Sequence, residues 1–274
     1  MKKSKVALFE TETIVLHSKI IDQDFELYIS FPFGYSKSDK TYPVLFCLDA
    51  NRYYGIIYDA VKILSKPSKE IPEILLVGIG YPMKGLEDWV IGRQRDYTPT
   101  SKPEQDKYWI DRLNKETDRN DLNVQSGGAD KFFTFLREEL IPYIESNYRV
   151  STSDRALMGY SLSGLFVLHV LFQNPNIFQR YFAGSPAIDW DEPFVLKREN
   201  DFAVANEDLS AKLFMSAAGV ESKLYIDNMK KMAELLRSRD YKNLELETHI
   251  FENETHSSCL PCSMSRALRV LYKD

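Results

Sequence analysis

The stretch "RALMGYSLSGLFVLHVLF", Arg155 to Phe172, constrains this chain more than any other. Its first part is a β-forming run ending at Gly159, and its second is an apolar helical run stopped by Pro175. A strand that turns at once into a helix forces the residue at the apex into a strained backbone conformation and holds its side chain up at the strand end. Strand and helix approach so closely there that the positions two residues to either side must be small. With Ser161 at the apex those positions are Gly159 and Ser163. With Ser163 at the apex they are Ser161 and Leu165, and leucine is too large. Ser161 is therefore the expected nucleophile of a nucleophile elbow, although the second glycine, Gly164, arrives one residue late.

Around this unit, apolar strand-like runs alternate with helical ones. "YPVLFCLD", "EILLVGIG", "RYFAGSP", "AKLFMSAAG" and "LELETHIF" read as strands. Tyr53 to Leu64, "ESKLYIDNMKKMAELLRSRD" and "SSCLPCSMSRALRVLY" read as helices. "DKFFTFLREELIPYIESNY" spaces Phe132, Phe133, Leu136, Leu140 and Ile144 as one helix face would. This alternation implies an α/β fold with a mostly parallel central sheet and helices on both faces. "ETIVLHSKII" and "DFELYISFP", joined by a polar turn at Asp22-Gln23-Asp24, suit an antiparallel edge. One domain over 1–274 is expected, with no separate cap. Residues 83–129 are charged, aromatic and aperiodic, too long for an ordinary connection. They are expected to pass over the sheet end where such folds take their ligand.

A serine nucleophile needs a base and, in this strand–helix order, an acid between serine and base in the chain. His17 precedes the serine, His169 lies in the helix after it, and His249 lies inside the last strand. His256 alone follows that strand, in the loop "ENETHSSC", and is the expected base. For the acid, Glu221 lies two residues past Gly219 at a strand end, and Asp227 lies inside the next helix; position favours Glu221. The oxyanion hole should combine the backbone N–H of Leu162 with one from "LDANRYYG", for which position favours that of Asn51.

These stretches, together with "GRQRDYTPT" and "ETHSSCLPCSMSRALRVLY", resemble a family of α/β-hydrolases, the esterases of the esterase D / enterochelin esterase type. The resemblance runs from about Asp24 to the C-terminus. It implies an α/β-hydrolase fold and a serine esterase with nucleophile Ser161, histidine His256 and acid Glu221, some members working with a serine–histidine pair alone. It also implies a small-molecule ester substrate, and a serine–histidine mechanism requires no metal or organic cofactor. Some members cleave the lactone of catecholate siderophores, and others are general carboxylesterases or acyl-transfer enzymes. The chain departs from the family in two places: Ser163 stands where glycine is commoner, and Asp49-Ala50-Asn51 where Asp-Gly is usual. If Ser163 is only a small residue, Ser163→Gly should fold and hydrolyse esters at least comparably. The expected reaction is hydrolysis of carboxylic esters through an acyl-enzyme; a siderophore trilactone esterase is the nearest alternative. A non-catalytic binding module on the same scaffold is an alternative of a different class.

For the substrate pocket, Tyr160, Arg93, Arg95 and Trp190 are candidates, with Trp89, Trp109 and Tyr97 as further aromatic walls. The arginines could meet an anionic group or simply pin the 83–129 segment by ion pairs. "HSSCLPC" offers His256, Cys259 and Cys262, too few for a structural zinc, and small apolar packing is the expected role of the cysteines. A net charge of −5 argues against a general nucleic-acid binder. No apolar run is long enough to span a bilayer, and the basic start lacks a signal-peptide core. A cytoplasmic protein is expected, with no membrane or nucleic-acid partner. Oligomeric state is open.

Overall fold

The computed structural model describes residues 7–66 and 68–273. Eight strands form one sheet: β1 (Thr11–Ser18), β2 (Gln23–Ser30), β3 (Tyr42–Cys47), β4 (Leu75–Gly80), β5 (Val150–Tyr160), β6 (Arg180–Gly184), β7 (Ala211–Ala218) and β8 (Leu244–Phe251). Their spatial order is β1-β2-β4-β3-β5-β6-β7-β8. β1 and β2 are antiparallel to each other, β2 is antiparallel to β4, and all other pairs are parallel. The interior strands are buried on both faces, which is why they read as unbroken apolar runs, whereas β1 and β8 at the edges carry mixed burial.

The two-residue period of a strand sorts its side chains into two cores. Val44, Phe46 and Leu48 enter one, and Leu45 and Cys47 the other. The first core is closed by α4 (Ala129–Phe135), α6 (Leu162–Gln173) and α8 (Lys223–Ser238), through residues such as Phe132, Phe166 and Met232. The second is closed by α1 (Ala50–Ser65) and α9 (Cys259–Leu271), through Ile57, Val61, Met264 and Leu268. α6 is buried from Leu162 to Phe172, because α7 (Glu192–Ala205) packs on the side that the sheet does not cover. No helix among the described residues is long and apolar enough to cross a membrane.

Three elements differ from the pattern expected of the sequence. The single helix expected over 130–148 is α4, a π-helical turn at Leu136–Leu140 and α5 (Ile141–Asn147). Pro142, which has no N–H to give to the preceding turn, sits at the start of α5. The segment 83–129, expected to be aperiodic, contains α2 (Leu86–Asp96) and α3 (Pro103–Thr117). Their apolar signal is weak because α2 also buries Gln94 and Asp96, and with its neighbours it builds only a small core of Val90, Leu113, Leu122 and Val124. α7 has an equally weak stripe. Its Glu199 is fully buried, matched by the Arg239 guanidinium at 2.7 Å and by the Tyr241 hydroxyl.

Candidate active site

β5 ends at Tyr160 and α6 begins at Leu162, leaving Ser161 alone at the turn with φ 61° and ψ −119°. Such a conformation costs a non-glycine residue roughly 1–3 kcal/mol and persists only where its surroundings over-determine it. Here the Ser161 N–H donates to the Gly184 carbonyl at 2.8 Å. The Ser161 carbonyl accepts from Leu165 N–H at 3.0 Å and Ala187 N–H at 3.1 Å. A Cβ on Gly159 would lie 2.3 Å from the Ser163 carbonyl oxygen, and backbone cannot give way cheaply. Gly159→Ala is therefore expected to cost roughly 2–4 kcal/mol of stability, read as a lowered thermal midpoint; an unchanged midpoint would contradict this packing.

The loop between β8 and α9 carries His256, and the turn between β7 and α8 carries Glu221. Glu221 Oε2 lies 2.7 Å from His256 Nδ1. The carboxylate is 2% exposed, and its Oε1 accepts from the Ala218 N–H at 2.9 Å and the Ser185 hydroxyl at 3.1 Å. The Tyr160 hydroxyl donates to the His256 carbonyl at 2.7 Å. The imidazole lies between the rings of Tyr160 and Tyr225, at centroid distances of 5.1 and 5.4 Å. With Nδ1 on Glu221, Nε2 is the nitrogen left to meet a nucleophile. Asp227 is exposed on α8. The other three histidines lie elsewhere: His17 is paired with Asp24, His169 is buried against Asp130, and His249 packs on Phe251.

The β3–α1 turn is organised around a residue with no obvious mark in the sequence. Asp49 is fully buried with φ 55°, and its carboxylate accepts four hydrogen bonds. Oδ1 takes Trp89 Nε1 at 2.8 Å and Arg93 Nε at 3.0 Å; Oδ2 takes Arg93 Nη2 at 3.1 Å and the Ser163 hydroxyl at 2.7 Å. Because the left-handed residue is Asp49, Ala50 lies within α1, and the position needs no glycine. The Asp49 carbonyl accepts from Arg52 and Tyr53, which leaves Ala50 and Asn51 as the N–H groups at this end of α1 without an intrahelical acceptor. The Asn51 side chain exchanges two hydrogen bonds of 2.8 Å with the Tyr81 backbone, tying α1 to the chain beyond β4. Leu162 N–H is likewise an orphan donor, at the start of α6.

A cavity of about 260 Å³ contains Ser161 and Leu162. Its walls include Arg93, Lys102, Gln105 and Trp109 from the 83–129 segment, Asp189 and Trp190 from the chain after β6, and Tyr225 from α8. Of the expected pocket residues, Trp190 and Arg93 are therefore beside the serine. Arg95 is not: its guanidinium pairs with buried Asp96 at 2.7 and 2.8 Å, in a different cleft. Tyr160 is fully buried behind His256 and supports that loop. Trp89 and Tyr97 hold Asp49. Burial by itself would lower the Arg93 pKa, but the Asp49 carboxylate more than offsets this and raises it. Burial, helped by the charges of Asp189 and Glu221, pushes the Tyr225 phenol up to about 12, so it stays a hydroxyl. Burial also raises the Asp189 carboxyl above its usual range, against the pull of Lys102 and His256. Lys102, Asp189 and Tyr225 escaped sequence reasoning because nothing local marks them; only the fold brings them to Ser161.

Cys259 is buried and its thiol is pushed up to about 12 by burial, while the Cys262 thiol donates to the Cys259 carbonyl at 3.0 Å. Among the described residues no three acidic, histidine or cysteine side chains are grouped as metal ligands would be.

A scaffold of this topology, carrying a strained serine and a carboxylate-held histidine at its strand ends, defines a serine hydrolase of the α/β-hydrolase fold. The family model described as "Putative esterase" matches residues 110–248. The chain is 34% identical over 268 residues to ferri-bacillibactin esterase BesA of Bacillus subtilis (strain 168), covering 94% of this chain and 88% of that protein. It is 25% identical over 258 residues to the siderophore triacetylfusarinine C esterase of Aspergillus fumigatus, covering 85% and 82%. The crystal structure of BES protein from Bacillus cereus matches with a TM-score of 0.82 at 29% identity, over 100% of both chains. The chain belongs to this esterase family and is an enzyme that hydrolyses ester bonds.

Proposed function

We propose that this esterase works through an acyl-enzyme on Ser161 and that its substrate is a siderophore ester of the catecholate type. His256 Nε2 takes the Ser161 proton as Oγ attacks the ester carbonyl. The N–H groups of Leu162 and Asn51 receive the oxyanion, each worth about 3–4 kcal/mol in comparable enzymes. The imidazolium, stabilised by Glu221, returns the proton to the departing alkoxide, and a water molecule activated by the same histidine releases the acid. The observation that carries this mechanism is the 2.7 Å contact between buried Glu221 and His256 Nδ1.

For the substrate, support comes from the cavity walls and from relatives whose names specify siderophores. Trp109, Trp190 and Tyr225 offer aromatic faces, and Lys102 stands with its ammonium 5.9 Å from the Trp190 ring. Arg93 is already matched by Asp49, so Lys102 is the cation best placed to meet an anionic aryl group. Remote binding energy of that kind raises the rate only for a substrate that presents the group. A catecholate trilactone is therefore expected to show kcat/KM at least about 100-fold above that of p-nitrophenyl acetate. Equal values for the two would leave a broad short-chain esterase in its place.

A further inference from the structure

We infer that Ser163 is a positioning residue for the reaction: its hydroxyl, acting through Asp49, fixes the spacing between the two helix ends whose N–H groups receive the oxyanion. The inference rests on the acyl-enzyme reading above. Ser163 is fully buried, and its Oγ accepts the Tyr160 N–H at 2.9 Å. Its single proton has two acceptors within reach, Asp49 Oδ2 at 2.7 Å and the Tyr160 carbonyl at 2.9 Å. The carboxylate is the nearer and the charged one, so it takes the proton.

The bond joins two turns 114 residues apart in the chain. On one side is the β5–α6 turn, which carries Ser161 and Leu162. On the other is the β3–α1 turn, which carries the orphan N–H groups of Ala50 and Asn51. Asp49 cannot drift to accommodate a change, because Trp89 and Arg93 hold both of its oxygens from α2. Among the described residues, Ser163 is the member of the elbow that bonds to this anchored carboxylate. Removing the hydroxyl strips Asp49 of a charge-assisted partner and Tyr160 N–H of its acceptor, while deleting no atom of the serine–histidine–glutamate set. Small misplacements of this kind act on the transition state rather than on substrate binding. The late glycine of the elbow is therefore a substitution with a function, and the expectation that Ser163→Gly is harmless is reversed.

The test compares wild type, Ser163→Ala and Ser163→Gly. Active sites are counted with a fluorophosphonate, the labelled serine is located by mass spectrometry, and kcat and KM for p-nitrophenyl acetate are expressed per labelled site. Both variants are expected to lose about 10- to 100-fold in kcat per site with KM within about twofold. Counting sites removes any loss due to unfolded protein, which a purely structural role would produce. A kcat per site within twofold of wild type in either variant overturns the inference. So does failure of both variants to fold, since the hydroxyl would then serve the fold and not the oxyanion. Wild-type label on a serine other than Ser161 is a different result: it overturns the acyl-enzyme reading itself.

Discussion

Ser161→Ala is expected to lower kcat for p-nitrophenyl acetate by about 10⁶-fold, with KM little changed. The magnitude follows from the chemistry proposed for the hydroxyl. Without Oγ no acyl-enzyme forms, and what remains is the modest assistance that oriented N–H donors give to direct attack by water. The strained backbone at φ 61° should persist in the variant, because the bonds that hold it, from Leu165 and Ala187 to Ser161 and from Ser161 to Gly184, all join main-chain atoms. Folding is thus not expected to confound the measurement. Ester hydrolysis that survives the substitution at the wild-type rate would sink the mechanism.

The second large effect concerns the acid. Glu221→Gln preserves shape but removes the charge proposed to stabilise the imidazolium and fix its tautomer, and kcat is expected to fall by about 10⁴-fold. The amide also disturbs the other half of the site, since Oε1 currently accepts from both Ala218 N–H and Ser185. A loss below tenfold would instead mean that Ser161 and His256 act as a pair, with the carboxylate only a packing partner. The same substitution at exposed Asp227 serves as the control and should leave kcat unchanged.

Much of this arrangement is visible in the residue order, and the parts that are hidden share a cause. The central strands declare themselves because burial on both faces leaves them no polar positions. The elbow does so because steric limits two residues either side of the apex are readable letter by letter. His256 and Glu221 follow from the order of elements, which places each just past a strand end. By contrast, Asp49 looks like any aspartate after a strand; its importance comes from Trp89, Arg93 and Ser163, which reach it from 40 to 114 residues away. Arg93 and Arg95 look equivalent in "GRQRDYTPT", but two positions along a helix point in different directions. One reaches Asp49 beside the serine, and the other is turned to Asp96 in a separate cleft. α2 and α3 stay hidden because a helix that buries polar groups against other helices carries no clean apolar stripe.

Tyr160, Ser185, Glu221 and His256 stand at or just past the C-terminal ends of β5, β6, β7 and β8, four strands adjacent in the sheet; Glu221 is bonded to both Ser185 and His256, and the Tyr160 hydroxyl donates to the His256 carbonyl. Part of the cavity wall comes from elsewhere: Arg93, Gln94, Lys102, Gln105 and Trp109 lie on the segment between β4 and α4, facing Asp189, Trp190 and Tyr225. The groups proposed to react are thus held by strand register, while one long connection supplies part of the cavity wall and clamps Asp49 through Trp89 and Arg93. Within that connection Lys102, Gln105 and Trp109 line the cavity without bonding to Asp49, so changes at those positions are expected to alter which ester is admitted while leaving the Asp49 clamp intact, and a redesign for a new ester has a natural place to begin.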